Sequence, residues 1–76
     1  MLLLENKSIY YPVSWDDAAD YTRAMEAMGI PHLIEDPSEG LPIQQGQLAI
    51  VFPHLPVRQY EKVRTLFNGD GEHYPD

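Results

Sequence analysis

The spacing of apolar residues changes several times along this chain, and each change marks an element. Ile9, Tyr10 and Tyr11 favour an extended segment within Leu2–Val13. Asn6-Lys7 leaves two readings of that segment open: a tight turn between two short strands, or one longer edge strand, which is preferred. Pro12 ends it. From Ser14 the spacing shifts to three and four, so that Trp15, Ala18, Ala19, Thr22, Met25 and Met28 form one apolar stripe flanked by Tyr21 and Ala24. The small residues in its middle let this helix approach a sheet closely, while Trp15 and the methionines fill the ends. Ser14 is its cap, and Asp17 stands where a capping box carries its acid. Asp16, Asp17 and Asp20 place negative charge near the positive end of the helix dipole. Gly29 supplies a left-handed stop, and Ile30-Pro31 turns the chain into extended backbone.

His32 to Glu35 then reads as a short strand ended by Asp36-Pro37, and Ser38-Glu39-Gly40 with Pro42 makes a turn-rich loop. Gln47–Phe52 is apolar on both faces, as a central strand covered on both sides would be. Pro53-His54-Leu55-Pro56 breaks it, with Pro56 placed as the first residue of a second helix. Val57, Tyr60, Val63 and Phe67 are the buried stripe of that helix, with Leu66 beside them, and Asn68-Gly69 ends it. Residues 70–76 are acidic and without periodicity, which predicts a flexible tail. The fold class is therefore α+β: one small domain over residues 1–69, ordered β-α-β-β-α, with two helices packed on a small sheet.

Length alters this picture in one respect. A chain of 76 residues buries only about 60% of its unfolded surface, and without cysteine it has neither disulfides nor thiolate metal sites to supplement a thin core. Oligomerisation is the remaining route, so a homodimer or larger assembly is expected. The apolar Met1–Leu4 run is too short for a signal-peptide core, and no segment approaches the length of a membrane span. A cytoplasmic location is expected, the host cytoplasm if the gene is phage-encoded.

The layout resembles a known family. A first strand leads to an alanine-rich helix ending in Met-Gly-Ile, then to a strand ending in Glu-Asp. A loop and an apolar strand follow, and then a helix containing EKVRTLF. This is similar to the small signal-transducing domains related in fold to the PII nitrogen regulators, over Ile9 to Phe67. The resemblance is carried by Ala24, Gly29, Ile30, Asp36, Val51, Pro53 and Val63. It implies a ferredoxin-like half-fold able to pair with a copy, and a sensing or regulatory role. It transfers no catalytic residue.

Catalytic and metal chemistry find little support in the residues. His32, His54 and His73 lack metal-ligand spacing. Asn68-Gly69-Asp70-Gly71-Glu72 alternates oxygen ligands as a calcium loop begins, but its glycine is misplaced and no glutamate follows at the twelfth position. Ser8, Ser14 and Ser38 have no nucleophile-elbow context, and adjacent acids on a strand face opposite ways. The expectation is a protein without catalytic residues, metal or cofactor.

Charge and aromatic content point to binding instead. Arg58 and Lys62, four apart near the start of the second helix, can hold an anion together with His54, unless Glu61 and Asp70 balance them on an ordinary solvated face. Tyr10, Tyr11 and Trp15 are candidate stacking platforms for a nucleotide-type ligand. The net charge of −7 argues against direct nucleic-acid binding and suits a basic protein partner. The leading expectation is a regulatory or inhibitory binding module that sequesters a small anionic ligand or occupies a partner. The alternative is an acidic mimic of nucleic acid, of the kind phages use against host defence enzymes, presenting Asp16, Asp20, Glu26, Glu35, Asp36, Glu39 and the tail.

Overall fold

A computed structural model describes residues 7–37 and 40–75. The elements are β1 (Lys7–Ser14), α1 (Trp15–Met28), β2 (Leu33–Glu35), β3 (Gln47–Pro53), α2 (Val57–Phe67) and β4 (Glu72–His73). The strands form one sheet in the order β2-β3-β1-β4, every neighbouring pair antiparallel. That is the complete split βαβ arrangement of ferredoxin-like folds rather than half of one.

The added element lies in the stretch expected to be a tail. Ile9 pairs with His73 and Tyr10 with Glu72, and the Tyr74 amide donates to the Ser8 carbonyl at 3.0 Å. Gly71 makes the approach possible, because a Cβ there would lie 2.9 Å from Tyr11 Cε1 and 3.1 Å from the Tyr10 carbonyl oxygen. A two-residue strand with both side chains exposed leaves no alternation to detect.

Lys7 already belongs to β1, opposite Pro53, while Asn6 and the rest of the proposed turn region lie outside the described residues. Pro12 does not end the strand. Its backbone shares the side of β1 on which Ser8 meets β4, and β4 extends no further along β1 than Tyr10. The missing N–H therefore faces a stretch of edge that no described strand pairs with.

Ser14 Oγ accepts from the Asp17 amide at 3.2 Å, as a cap should. At the other end Gly29 sits at φ 68°. Its N–H donates to Glu26 O at 3.2 Å, and the Ile30 N–H donates to Met25 O at 3.0 Å, the two bonds of a Schellman stop. The buried stripe of α1 is rotated from the expected one. Ala18 and Met25 are buried with Tyr21 and Met28 against them, whereas Ala19 is exposed and Trp15 is 61% exposed. Tyr21 draws the helix round by stacking on Phe67 with 4.3 Å between ring centroids.

In α2 the helix begins at Val57, and Pro56 precedes it as the cap whose carbonyl accepts from the Tyr60 amide. Val63 is fully buried and Tyr60 and Phe67 pack beside it, but Val57 is 72% exposed. The first turn of α2 overhangs the core. Asn68, at φ 60°, ends the helix as expected.

Two cores flank the sheet. Tyr11, Val13, Ile50 and Phe52 meet both helices on one face. On the other, Tyr10, Ala49 and Val51 meet Leu41, with Leu33, Ile43 and Tyr74 packed around them. β3 is thus covered on both sides, but its second cover is the chain's own β2–β3 loop and C-terminal segment. The thin core inferred from length is supplemented from within the chain.

Candidate functional site

Six residues carried the expected ligand chemistry, and the fold distributes them over several places. Tyr10 and Tyr11 are adjacent on β1 and so point to opposite faces. Tyr10 lies in the second core, edge-on to Tyr74 at 6.2 Å. Tyr11 lies in the helical core, stacked on Phe67 at 4.1 Å, and its hydroxyl donates to Gly69 O at 2.9 Å. Burial, with Tyr60 and Asp70 nearby, pushes the Tyr11 phenol up to about 12. Both rings are committed to packing and offer no face to a ligand. Trp15 is exposed at the start of α1. His54 is exposed in the β3–α2 turn and lines a small cleft of about 320 Å³ with Ile9, Pro53, Leu55 and Tyr60.

Arg58 and Lys62 do come together. One helical turn apart on α2, they line an open groove of about 770 Å³ with Met28 of α1 and Glu61, Thr65 and Leu66 of α2. Met28 and Leu66 give it an apolar floor, to which the aliphatic stems of both cations add. The Thr65 hydroxyl is turned back to the Glu61 carbonyl at 2.9 Å. Among the described residues no aromatic ring lines the groove.

The other Lys and Arg residues are all engaged. Arg23 meets Asp20 at 3.4 Å, Arg64 meets Asp70 at 2.5 Å, and Lys7 meets Glu35 at 2.5 Å. Among the described residues only Arg58 and Lys62 carry a cationic side chain without an ion pair. Asp70 balances Arg64 rather than them. Burial raises the neighbouring Tyr60 phenol, whose hydroxyl meets Asp70 at 3.3 Å.

The acidic set is also divided. Asp16, Asp20 and Glu26 are exposed on α1, with Asp17 beside them, and Asp36 is exposed after β2. Glu39 lies outside the described residues. Glu35 is 5% exposed and belongs to no outer surface. It shares a face of β2 with Leu33, opposite Ala49 of β3, which turns it into the second core. There Oε2 accepts from Lys7 Nζ, and Oε1 accepts from the Tyr74 hydroxyl at 2.8 Å. The carboxylate holds Lys7 above its ordinary value. Burial, and then the bond to Glu35, raise Tyr74.

This Lys7–Glu35–Tyr74 group ties the C-terminal segment to both β1 and β2, a connection sequence reasoning missed. One signal was available: Glu35 alternates with Leu33 and so falls on an apolar face. No buried side-chain polar atom among the described residues lacks a hydrogen bond, and no three His, Asp or Glu side chains among them gather as a metal site would require.

No helix among the described residues is long and apolar enough to cross a membrane. No family model, curated protein or solved structure matches the chain.

Proposed function

We propose that this chain is a non-catalytic binding module with a regulatory or inhibitory role, working in the cytoplasm, which sequesters a small anionic ligand in the groove between Met28 and α2. One observation carries the reading: on a protein of net charge −7, Arg58 and Lys62 have no ion pair among the described residues. Glu61 lines the same groove, so two cationic side chains face one carboxylate beside an apolar floor, and that local excess of positive charge in so acidic a chain suits a ligand that brings its own negative charge.

Magnitudes favour the local pair over the global charge. At physiological salt, interactions between exposed charges fade beyond about 8 Å, so most of the carboxylates act weakly on an anion seated in the groove. A hydrogen bond to a charged group contributes about 1.5–3 kcal/mol. The ligand's apolar part would lie over Met28 and Leu66, since no ring is present to stack on. A nucleotide fits through its phosphates, with its base held by apolar contact rather than stacking. The signal-transducing resemblance agrees with such a role.

The test is a thermal-shift screen of the wild-type chain against nucleotides and inorganic phosphate, repeated on Arg58→Ala/Lys62→Ala. A wild-type shift that the double variant loses supports the reading. Absence of any shift at millimolar ligand refutes it.

A second reading has its own observation. Asp16, Asp17, Asp20 and Glu26 are all exposed on one helix, opposed there only by Arg23. This suits an acidic mimic that occupies a basic nucleic-acid-binding protein, with Glu35 withdrawn from the set. It predicts competition with DNA for such a protein and steep weakening with salt.

A further inference from the structure

An apolar floor rimmed by two unpaired cations has a definable complement: an exposed apolar side chain accompanied by carboxylates. Among the described residues, Trp15, Ile34, Val57 and Leu66 are the large hydrophobics exposed to solvent. Leu66 belongs to the groove itself. Val57 is followed directly by Arg58, which is the wrong charge. Ile34 is followed by Glu35, whose carboxylate is buried and taken by Lys7 and Tyr74, and then by a single exposed carboxylate, Asp36. Among the described residues Trp15 fits best, 61% exposed and followed by Asp16 and Asp17, with Asp20 one turn further on.

We infer that the groove of one copy receives the Trp15–Asp20 turn of a second copy, so that the protein associates with itself head to tail. The inference rests on reading the groove as an anion-accepting surface. The indole would cover Met28 and Leu66, and the carboxylates would meet Arg58 and Lys62.

Geometry decides the kind of assembly. Met28 lies thirteen residues after Trp15, about 20 Å further along the helix and about 140° around it. Tyr21 stacks on Phe67 and Met28 lines the groove, so both face α2. Trp15 occupies the opposite end and the opposite flank. A chain cannot fill its own groove, and the knob of each copy stays available after its groove is filled. Such a contact is heterologous and extends to a third copy as an open chain or a ring. A ligand in the groove and a neighbouring copy exclude one another.

Sedimentation velocity of the full chain from micromolar to millimolar concentration tests this. Trp15→Ala and Arg58→Glu/Lys62→Glu change exposed side chains only, and far-UV circular dichroism checks that each remains folded. The wild type is expected to gain mass with concentration, and each variant alone to stay monomeric. Mixed in equal amounts, the two variants should form a species of two chains and nothing larger, because one keeps only its groove and the other only its knob. A wild type that stays monomeric, a Trp15→Ala variant that associates as the wild type does, or a mixture that stays monomeric would overturn the inference. Calorimetric titration of Trp15→Ala with ATP separates the two claims. Binding there without wild-type association rejects self-docking and leaves the groove reading standing. Loss of both rejects both.

Discussion

The Tyr74 hydroxyl donates to the buried Glu35 carboxylate across 2.8 Å, joining the third-last residue of the chain to the short edge strand β2. Glu35 is held from its other oxygen by Lys7 of β1, so one carboxylate fastens three separate segments. Tyr74→Phe removes the donor, while the ring keeps its edge contact with Tyr10. An unsatisfied buried acceptor costs about 1–3 kcal/mol. Urea unfolding should show a loss of that size, and hydrogen exchange should show faster opening at β4 than at β3.

Gly71→Ala tests the same attachment through the backbone. The new methyl would sit 3.1 Å from the Tyr10 carbonyl, an atom fixed in the sheet, as well as 2.9 Å from the Tyr11 ring. The expected result is destabilisation with loss of the Ile9–His73 pairing, seen as loss of the corresponding cross-strand signals by NMR. Unchanged pairing would mean that β4 does not depend on this close approach.

Alkaline stability follows from Tyr11 and Lys7. The Tyr11 phenol is raised from its ordinary value near 10 to about 12, so the unfolded chain gives up this proton first as pH rises. Stability from this group is complete below about pH 10 and is lost progressively toward pH 12. Lys7, raised by Glu35, has the same sign: its contribution is present below its unfolded value and disappears as pH climbs through the folded one. The thermal midpoint should fall steeply over this window. Tyr11→Phe should flatten the fall, and the parts from Lys7, Tyr60 and Tyr74, which are raised with the same sign, should remain.

Two core substitutions separate the observed packing from the expected one. Met25→Ala empties a fully buried position and should cost about 2–5 kcal/mol. Val57→Ala, at a position the apolar stripe of α2 marks as buried, should change stability by no more than about 0.5 kcal/mol. Denaturant midpoints of the two variants provide the comparison.

The contrast between these positions shows what was legible in the sequence. Spacing identified both helices and the central strand, because Ala18, Met25, Val63 and the run through Phe52 repeat with the period of their elements. Ser14, Gly29 and Asn68 set helix ends through local hydrogen bonds, which depend on neighbours in the chain. Trp15 and Val57 fit the same periodicity yet overhang the sheet, since a period does not say where the partner surface stops. β4 and the Lys7–Glu35–Tyr74 group depend on contacts between residues 28 to 67 positions apart, which no local pattern encodes. At the site, Arg58 and Lys62 were legible as a helical pair. Tyr10 and Tyr11 were not, because aromatic content does not distinguish packing from display.

If Arg58 and Lys62 make the groove beside Met28 an anion site, titration of the isotope-labelled chain with ATP, followed residue by residue by NMR, should give saturable shifts concentrated at Met28, Arg58, Glu61, Lys62, Thr65 and Leu66. Those shifts should be absent in Arg58→Ala/Lys62→Ala. No shifts at millimolar nucleotide, or shifts centred on His54 or Trp15 that survive the double substitution, would mean that the groove does not hold the anion.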